Sequence, residues 1–172
     1  MNVIKKLKRG IKAFKNELIK PDSFAKGEEF EEYVRKYIFP MSDYDLVQRT
    51  HNYNSNNVDF IESCLNPDFK FRDKKNGKEF YVEAKWRSGV YNKENKIEWC
   101  KEKQLKRYKA IDNNENRVFI VLGFGDKPSK PDEIILFPIS GCNFNGLYDS
   151  FLNKYIFYVK KPVFSSYLWN LK

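Results

Sequence analysis

Histidine is nearly missing from this chain: one residue, His51, in 172. Chemistry that needs two histidines is excluded, as is any HExxH zinc helix. A Ser-His-Asp site would have to use His51, which lies in the polar stretch 50–57 and reads as a solvent-exposed loop histidine. Cysteine is scarce and scattered. Cys64, Cys100 and Cys142 form no CxxC, which argues against a zinc knuckle or a disulfide framework and for a reducing compartment, the cytoplasm. No apolar run approaches the roughly 18 residues of a membrane span; among the longest is 118–124, which Gly123 already breaks. Residues 1–14 alternate Lys with single apolar residues and have no h-region, so they do not read as a secretory signal. What chemistry there is belongs to carboxylates, Lys, Tyr or a hard metal.

What the chain does have is positive charge and aromatic mass. Lys and Arg number 32 against 23 Asp and Glu, a net charge of +9, and 17% of the residues are aromatic. The excess points to an anionic partner. With 41% hydrophobic residues the chain can build a core, and its length fits one domain at about 150 residues per domain.

Val3, Ile4, Leu7, Ile11, Phe14 and Leu18 recur at helical spacing with Lys on the other faces, and Pro21 ends the run. This amphipathic stretch packs on the domain or touches an anionic surface, nucleic acid or membrane. A second helix is expected from about 22–24 to 39, with the stripe Phe30, Tyr33, Val34, Tyr37 and Ile38, Glu31 at its edge, and Glu28 and Glu32 facing solvent. Residues 45–49 read as a strand. A hairpin is expected from 69–73 and 79–86 around Asn76-Gly77. Then come a helix over 93–112, a buried strand over 117–124, a strand over 133–139, a short helix near 147–152 and a last strand over 155–161. The order gives an α/β fold with a mixed central sheet and flanking helices.

If Asn76 and Gly77 are the two turn residues, Phe71 faces Val82 and Phe69 faces Ala84 on the core side. Lys70 then faces Glu83, and Asp68 faces Lys85, on the other. Alternation puts Glu83 and Lys85 on one face, so Asp68, Glu83 and Lys85 gather in one patch. Two carboxylates this close repel unless a cation neutralises them. The patch suits Mg²⁺, a hard ion that takes oxygen ligands, and equally suits a solvated ladder of cross-strand ion pairs.

Pro67-Asp68, fourteen residues, then Glu83-Ala84-Lys85 resembles the PD-(D/E)XK nuclease superfamily, whose fold is restriction-endonuclease-like with an αβββαβ core. The run 27–34, Gly-Glu-Glu-Phe-Glu-Glu-Tyr-Val, is similar to the G-x-x-F/Y-E-x-x-V helix of its Mrr-like and archaeal Holliday-junction-resolvase-like branches. The resemblance covers about 24–125, leaving 1–20 and 128–172 as extensions. It implies a Mg²⁺- or Mn²⁺-dependent endonuclease acting on DNA. Asp68, Glu83 and the carbonyl of Ala84 would hold the metal, and Lys85 would act at the attacking water. Glu31 would point into the site, and Gln104, on the inward stripe of the 93–112 helix with Ile97, Cys100, Tyr108 and Ile111, would line it. Asp59 is a second choice for Asp68. Arg87, Lys93, Lys96, Lys101, Lys103, Lys106 and Arg107 flank the motif and would meet backbone phosphates. Double-strand cutting by one small site implies pairing into a homodimer. Two other classes stay open: a nucleic-acid-binding module without catalysis, and a peripheral membrane protein using residues 1–20.

Overall fold

A computed structural model describes residues 22–50, 65–87, 96–113 and 115–172. The amphipathic stretch 1–20, His51, Asp59, Cys64 and Lys93 lie outside the described residues. Helix α1 (Asp22–Tyr33) runs on into a π-helical turn, Val34–Ile38. Strands β1 (Tyr44–Arg49), β2 (Phe69–Asp73), β3 (Glu79–Arg87) and β4 (Ile97–Glu98) follow, then helix α2 (Glu102–Ile111). After it come β5 (Arg117–Phe124), β6 (Glu133–Pro138), β7 (Gly146–Leu147), α3 (Asp149–Leu152), β8 (Ile156–Phe157) and α4 (Ser165–Asn170). Six strands form one sheet in the order β1-β2-β3-β5-β6-β8, and β4 pairs separately with β7. The β3–β5 pair is parallel and its neighbours are antiparallel. The protein is therefore mixed α/β, and no helix among the described residues is long and apolar enough to cross a membrane.

β5 reads Arg-Val-Phe-Ile-Val-Leu-Gly-Phe because both of its faces are covered. Phe119 and Val121 join Phe30, Tyr33, Val34, Phe69, Phe71, Phe80 and Val82 on the α1 side. Val118, Ile120 and Leu122 join Leu105, Tyr108, Trp99 and Phe137 on the α2 side. The π turn, closed by Phe39 N–H on Val34 O at 2.9 Å, inserts a residue into the helical repeat. It lets Val34, Ile38 and Phe39 all reach the core, while Tyr37 stays at its edge.

The hairpin register differs from expectation by two residues. Phe71 pairs with Phe80 and Phe69 with Val82, and Lys70 lies opposite Tyr81 and bonds Glu79 at 2.7 Å. The turn spends four residues, not two. Asp73 Oδ1 accepts the N–H of Lys75 at 2.9 Å, Asp73 O accepts the N–H of Gly77 at 2.7 Å, and Gly77 takes φ 73°, open only to a residue without Cβ strain. Trp169 on α4 donates Nε1–H to the other Asp73 oxygen at 2.7 Å, so this turn is anchored from the far end of the chain. A slip of two preserves which face each side chain takes.

Elsewhere the helix expected over 93–112 begins only at Glu102. Ile97 and Trp99 are buried with Glu98 exposed between them, a period of two, and Trp99 Nε1–H donates to Phe144 O at 3.1 Å. The strand expected over 155–161 is only Ile156–Phe157, and the one over 133–139 ends at Pro138. The helix near 147–152 is confined to α3.

Candidate functional site

The site is built where the β2–β3 ladder stops. Phe69–Val82 is its last pair, and the register sets Asp68 against Glu83, not Lys85 as expected. Side chains replace the next rungs. Asp68 Oδ2 accepts the Ala84 N–H at 2.8 Å, and the Asp68 N–H donates to Glu83 Oε2 at 3.2 Å. The backbone before this point is pinned to the end of β1: Thr50 N–H donates to Asp68 O at 2.9 Å, and Thr50 Oγ1–H to Pro67 O at 2.8 Å.

Glu83 is 1% exposed and collects four donors. Oε1 takes the Lys85 ammonium and Gln104 Nε2–H, the latter at 2.9 Å. Oε2 takes the Asp68 N–H and the Tyr108 hydroxyl, the latter at 2.6 Å. Gln104 Nε2 also donates to the Tyr108 oxygen at 2.8 Å, as the i, i+4 spacing on α2 allows. Glu31, 6% exposed, comes from α1 on the opposite face of the sheet. Its Oε2 accepts from Arg49 Nη2 at 3.2 Å, and it feels the charges of Lys85 and Glu83. The structure thus brings Asp68, Glu83, Lys85, Glu31 and Gln104 together. Two members, Arg49 and Tyr108, were not among the expected site residues. Tyr108 was legible as an inward residue one turn beyond Gln104; Arg49 carried no local signal.

Burial pushes the Asp68 carboxyl well above the usual carboxylate range, and the Glu83 charge adds to it against the pull of Lys85. Burial also raises Glu31, partly opposed by its bond to Arg49. Burial alone would lower Lys85, but Glu83 and Asp68 outweigh it and hold the ammonium firmly protonated. Lys85 keeps a quarter of its side chain in solvent. Beside the cluster lies an open cleft of about 710 Å³, lined by Lys26, Trp86, Cys100, Lys101 and Gln104 among others, so Gln104 joins the buried Glu83 to solvent.

An acid whose pKa rises on folding binds more protons in the folded state. Stability is then lost as pH climbs from the unfolded carboxylate range through the folded pKa. Asp68→Asn, which can still accept from Ala84, is therefore expected to stabilise the metal-free protein at neutral pH by about 1–2 kcal/mol. The gain should vanish near pH 3, where Asp68 is protonated in both states. Thermal melts in EDTA across that range check it, and an unchanged or lower neutral melting temperature would refute it.

The flanking cations divide. Arg87 donates to the carbonyls of Trp86, Glu98 and Trp99, which ties β3 to the β4 segment, and it also lines the cleft. Lys106 pairs with Glu102 at 2.7 Å. Arg107 lies over the Tyr108 ring, and its buried Nε has no hydrogen-bond partner among the described residues. Lys101 and Lys103 are exposed at the start of α2 and make no ion pair among the described residues. Lys96 stacks on Tyr148.

Among the described residues no three His, Cys, Asp or Glu side chains are arranged as a metal cage. The donors on offer are two carboxylates, Asp68 and Glu83, and the Ala84 carbonyl. Mg²⁺ is usually bound by one or two carboxylates plus waters and phosphates, so this set fits it. Both lone pairs of Glu83 Oε1 are taken, and Lys85 stands where an added cation would go. Asp68 Oδ1 accepts no hydrogen bond among the described residues. No protein-family model and no curated protein matches the chain.

Proposed function

We propose that the protein is a Mg²⁺- or Mn²⁺-dependent endonuclease that hydrolyses phosphodiester bonds in DNA, with a restriction-endonuclease-like fold of the PD-(D/E)XK kind. The observation that carries this is the convergence of Asp68, just before β2, and Glu83, in the middle of β3, with the Lys85 ammonium paired to Glu83 and a quarter exposed. An ordinary surface ladder of ion pairs would not bury Glu83 and turn four donors onto it. With β4 set apart in its own pair with β7, the order α1, β1, β2, β3, α2, β5 supports the same reading.

Asp68, Glu83 and the Ala84 carbonyl would hold the ion. When bound, such an ion supplies charge that polarises the phosphate and acidifies a water. Lys85 then leaves Glu83 for the attacking water or the charge that develops on the phosphate. It acts as a cation and hydrogen-bond donor, the form an amine of ordinary basicity takes at neutral pH even after it has left Glu83. Gln104, which shares the site with the cleft, bonds a phosphate oxygen or that water, and Glu31 shapes the field from α1. Lys101 and Lys103 meet the backbone without reading sequence.

The test incubates the purified protein with linear, circular and branched DNA and Mg²⁺ or Mn²⁺. Cleavage is expected, lost in EDTA and lost by at least about a thousandfold in Asp68→Ala, with DNA binding retained. Asp59→Ala should keep it. Binding without cleavage of any substrate would make the protein a non-catalytic nucleic-acid module instead.

A further inference from the structure

Glu83 is held unevenly, and the unevenness assigns a role to a residue outside the metal set. Oε1 faces two side chains with room to move: Lys85, a quarter exposed, and Gln104, on the wall of the open cleft. Oε2 faces two donors that cannot leave. One is the Asp68 backbone N–H, fixed by Thr50; the other is the hydroxyl of Tyr108, which is 2% exposed on α2 and packed in the core. While Gln104 is in place it donates to the Tyr108 oxygen, which leaves the phenol proton to point at Glu83.

We infer that Tyr108 is a positioning residue that withholds Glu83 Oε2, so that the carboxylate offers an incoming ion one oxygen only. This rests on the metal-dependent reading above and adds a consequence for which ion is taken. Mg²⁺ demands near-ideal octahedral ligation, whereas Ca²⁺ accepts carboxylates through one oxygen or two and tolerates irregular shells. A Glu83 restrained to one oxygen favours the smaller ion. A Glu83 free to turn both oxygens toward the ion favours the larger.

The experiment measures Mg²⁺ and Ca²⁺ dissociation constants of the full chain by competition against Mn²⁺, followed by electron paramagnetic resonance and without DNA. Tyr108→Phe keeps the ring and removes the hydroxyl. It is expected to weaken Mg²⁺ about tenfold while leaving Ca²⁺ within about twofold, so that the affinity ratio moves toward Ca²⁺. General loosening of the core would weaken both ions alike; Leu105→Ala, on the same helix and also buried, provides that comparison. Equal losses for both ions, or no change in either, would overturn the inference while the nuclease reading stands. Failure of the wild-type chain to bind Mn²⁺ at all would strike the nuclease reading first and the inference with it. If Tyr108→Phe does not fold, the wild type carries the test. Mg²⁺ is then expected to perturb the near-ultraviolet tyrosine absorption, because the ion draws charge from the acceptor of the Tyr108 hydroxyl, and a flat difference spectrum would overturn the inference.

Discussion

Lys85→Ala is expected to abolish cleavage and, with divalent ions chelated, to cost about 3–5 kcal/mol of folding stability, the usual result of deleting one partner of a buried ion pair. Glu83 is 1% exposed and cannot turn to water for compensation. Without the ammonium, Oε1 keeps only Gln104, and the mutual repulsion of Glu83 and Asp68 loses its main opponent. Asp68 then takes up a proton more readily, which limits the loss. The informative arm is the ion. If Lys85 stands in a cation's place, Mg²⁺ should return a large part of the lost stability to Lys85→Ala, more than it adds to the wild type, since nothing has to be displaced. Urea unfolding in EDTA and in Mg²⁺, beside a cleavage assay in Mg²⁺, reads all three effects. A variant that unfolds equally with and without the ion would show that no cation site lies at Glu83. A variant that is restored by Mg²⁺ yet still cuts at the wild-type rate would remove Lys85 from the chemistry.

How far the chain could be read in advance follows the range over which each signal acts. β5 was legible to the residue because an apolar, β-branched run covered on both sides leaves no second interpretation. Gln104 and Tyr108 were legible as inward neighbours because helical spacing alone brings them together. The grouping of Asp68, Glu83 and Lys85 survived a wrong register, since alternation depends only on parity and the error was two residues. That error arose at Asp73. The Asn76-Gly77 pair is a strong local turn signal, but the Asp73 side chain, braced by Trp169, imposes a longer turn. The partner of that brace is about a hundred residues away, and no window on the sequence contains both. The helix expected over 93–112 failed for a different reason. In Ile97–Cys100 the apolar spacing suits a strand as well as a helix, and pairing with β7 decides. Arg87 shows the limit for charged residues. Its type suggested a phosphate contact, but nothing local announced its bonds to the carbonyls of Trp86, Glu98 and Trp99, which tie two segments together.

Gly123→Ala is the second large expected effect, and it links the sheet to the site. Gly123 sits in β5 between Trp86 of β3 and Ile134 of β6. A Cβ there would lie 2.2 Å from Phe30 Cε2 and 2.4 Å from Phe30 Cζ, far inside van der Waals contact. The ring is fully buried, stacked on Tyr33 and tilted against Trp86 at 5.6 Å, so turning it would disturb both neighbours. The backbone of α1 must therefore move off the sheet, at a cost of about 1–3 kcal/mol for overpacking a filled core. Glu31 follows Phe30 on that helix and moves with it, away from Arg49 and from the field of Glu83 and Lys85. Cleavage should fall together with stability. A double-mutant cycle separates this from general damage: Phe30→Leu shortens the obstructing ring, so Gly123→Ala should cost at least about 1 kcal/mol less in that background than in the wild type. Simple additivity would mean that the missing side chain at 123 serves something other than the seat of Phe30. A stable Gly123→Ala with full cleavage would mean that the position of α1 does not control the acids at the end of β2.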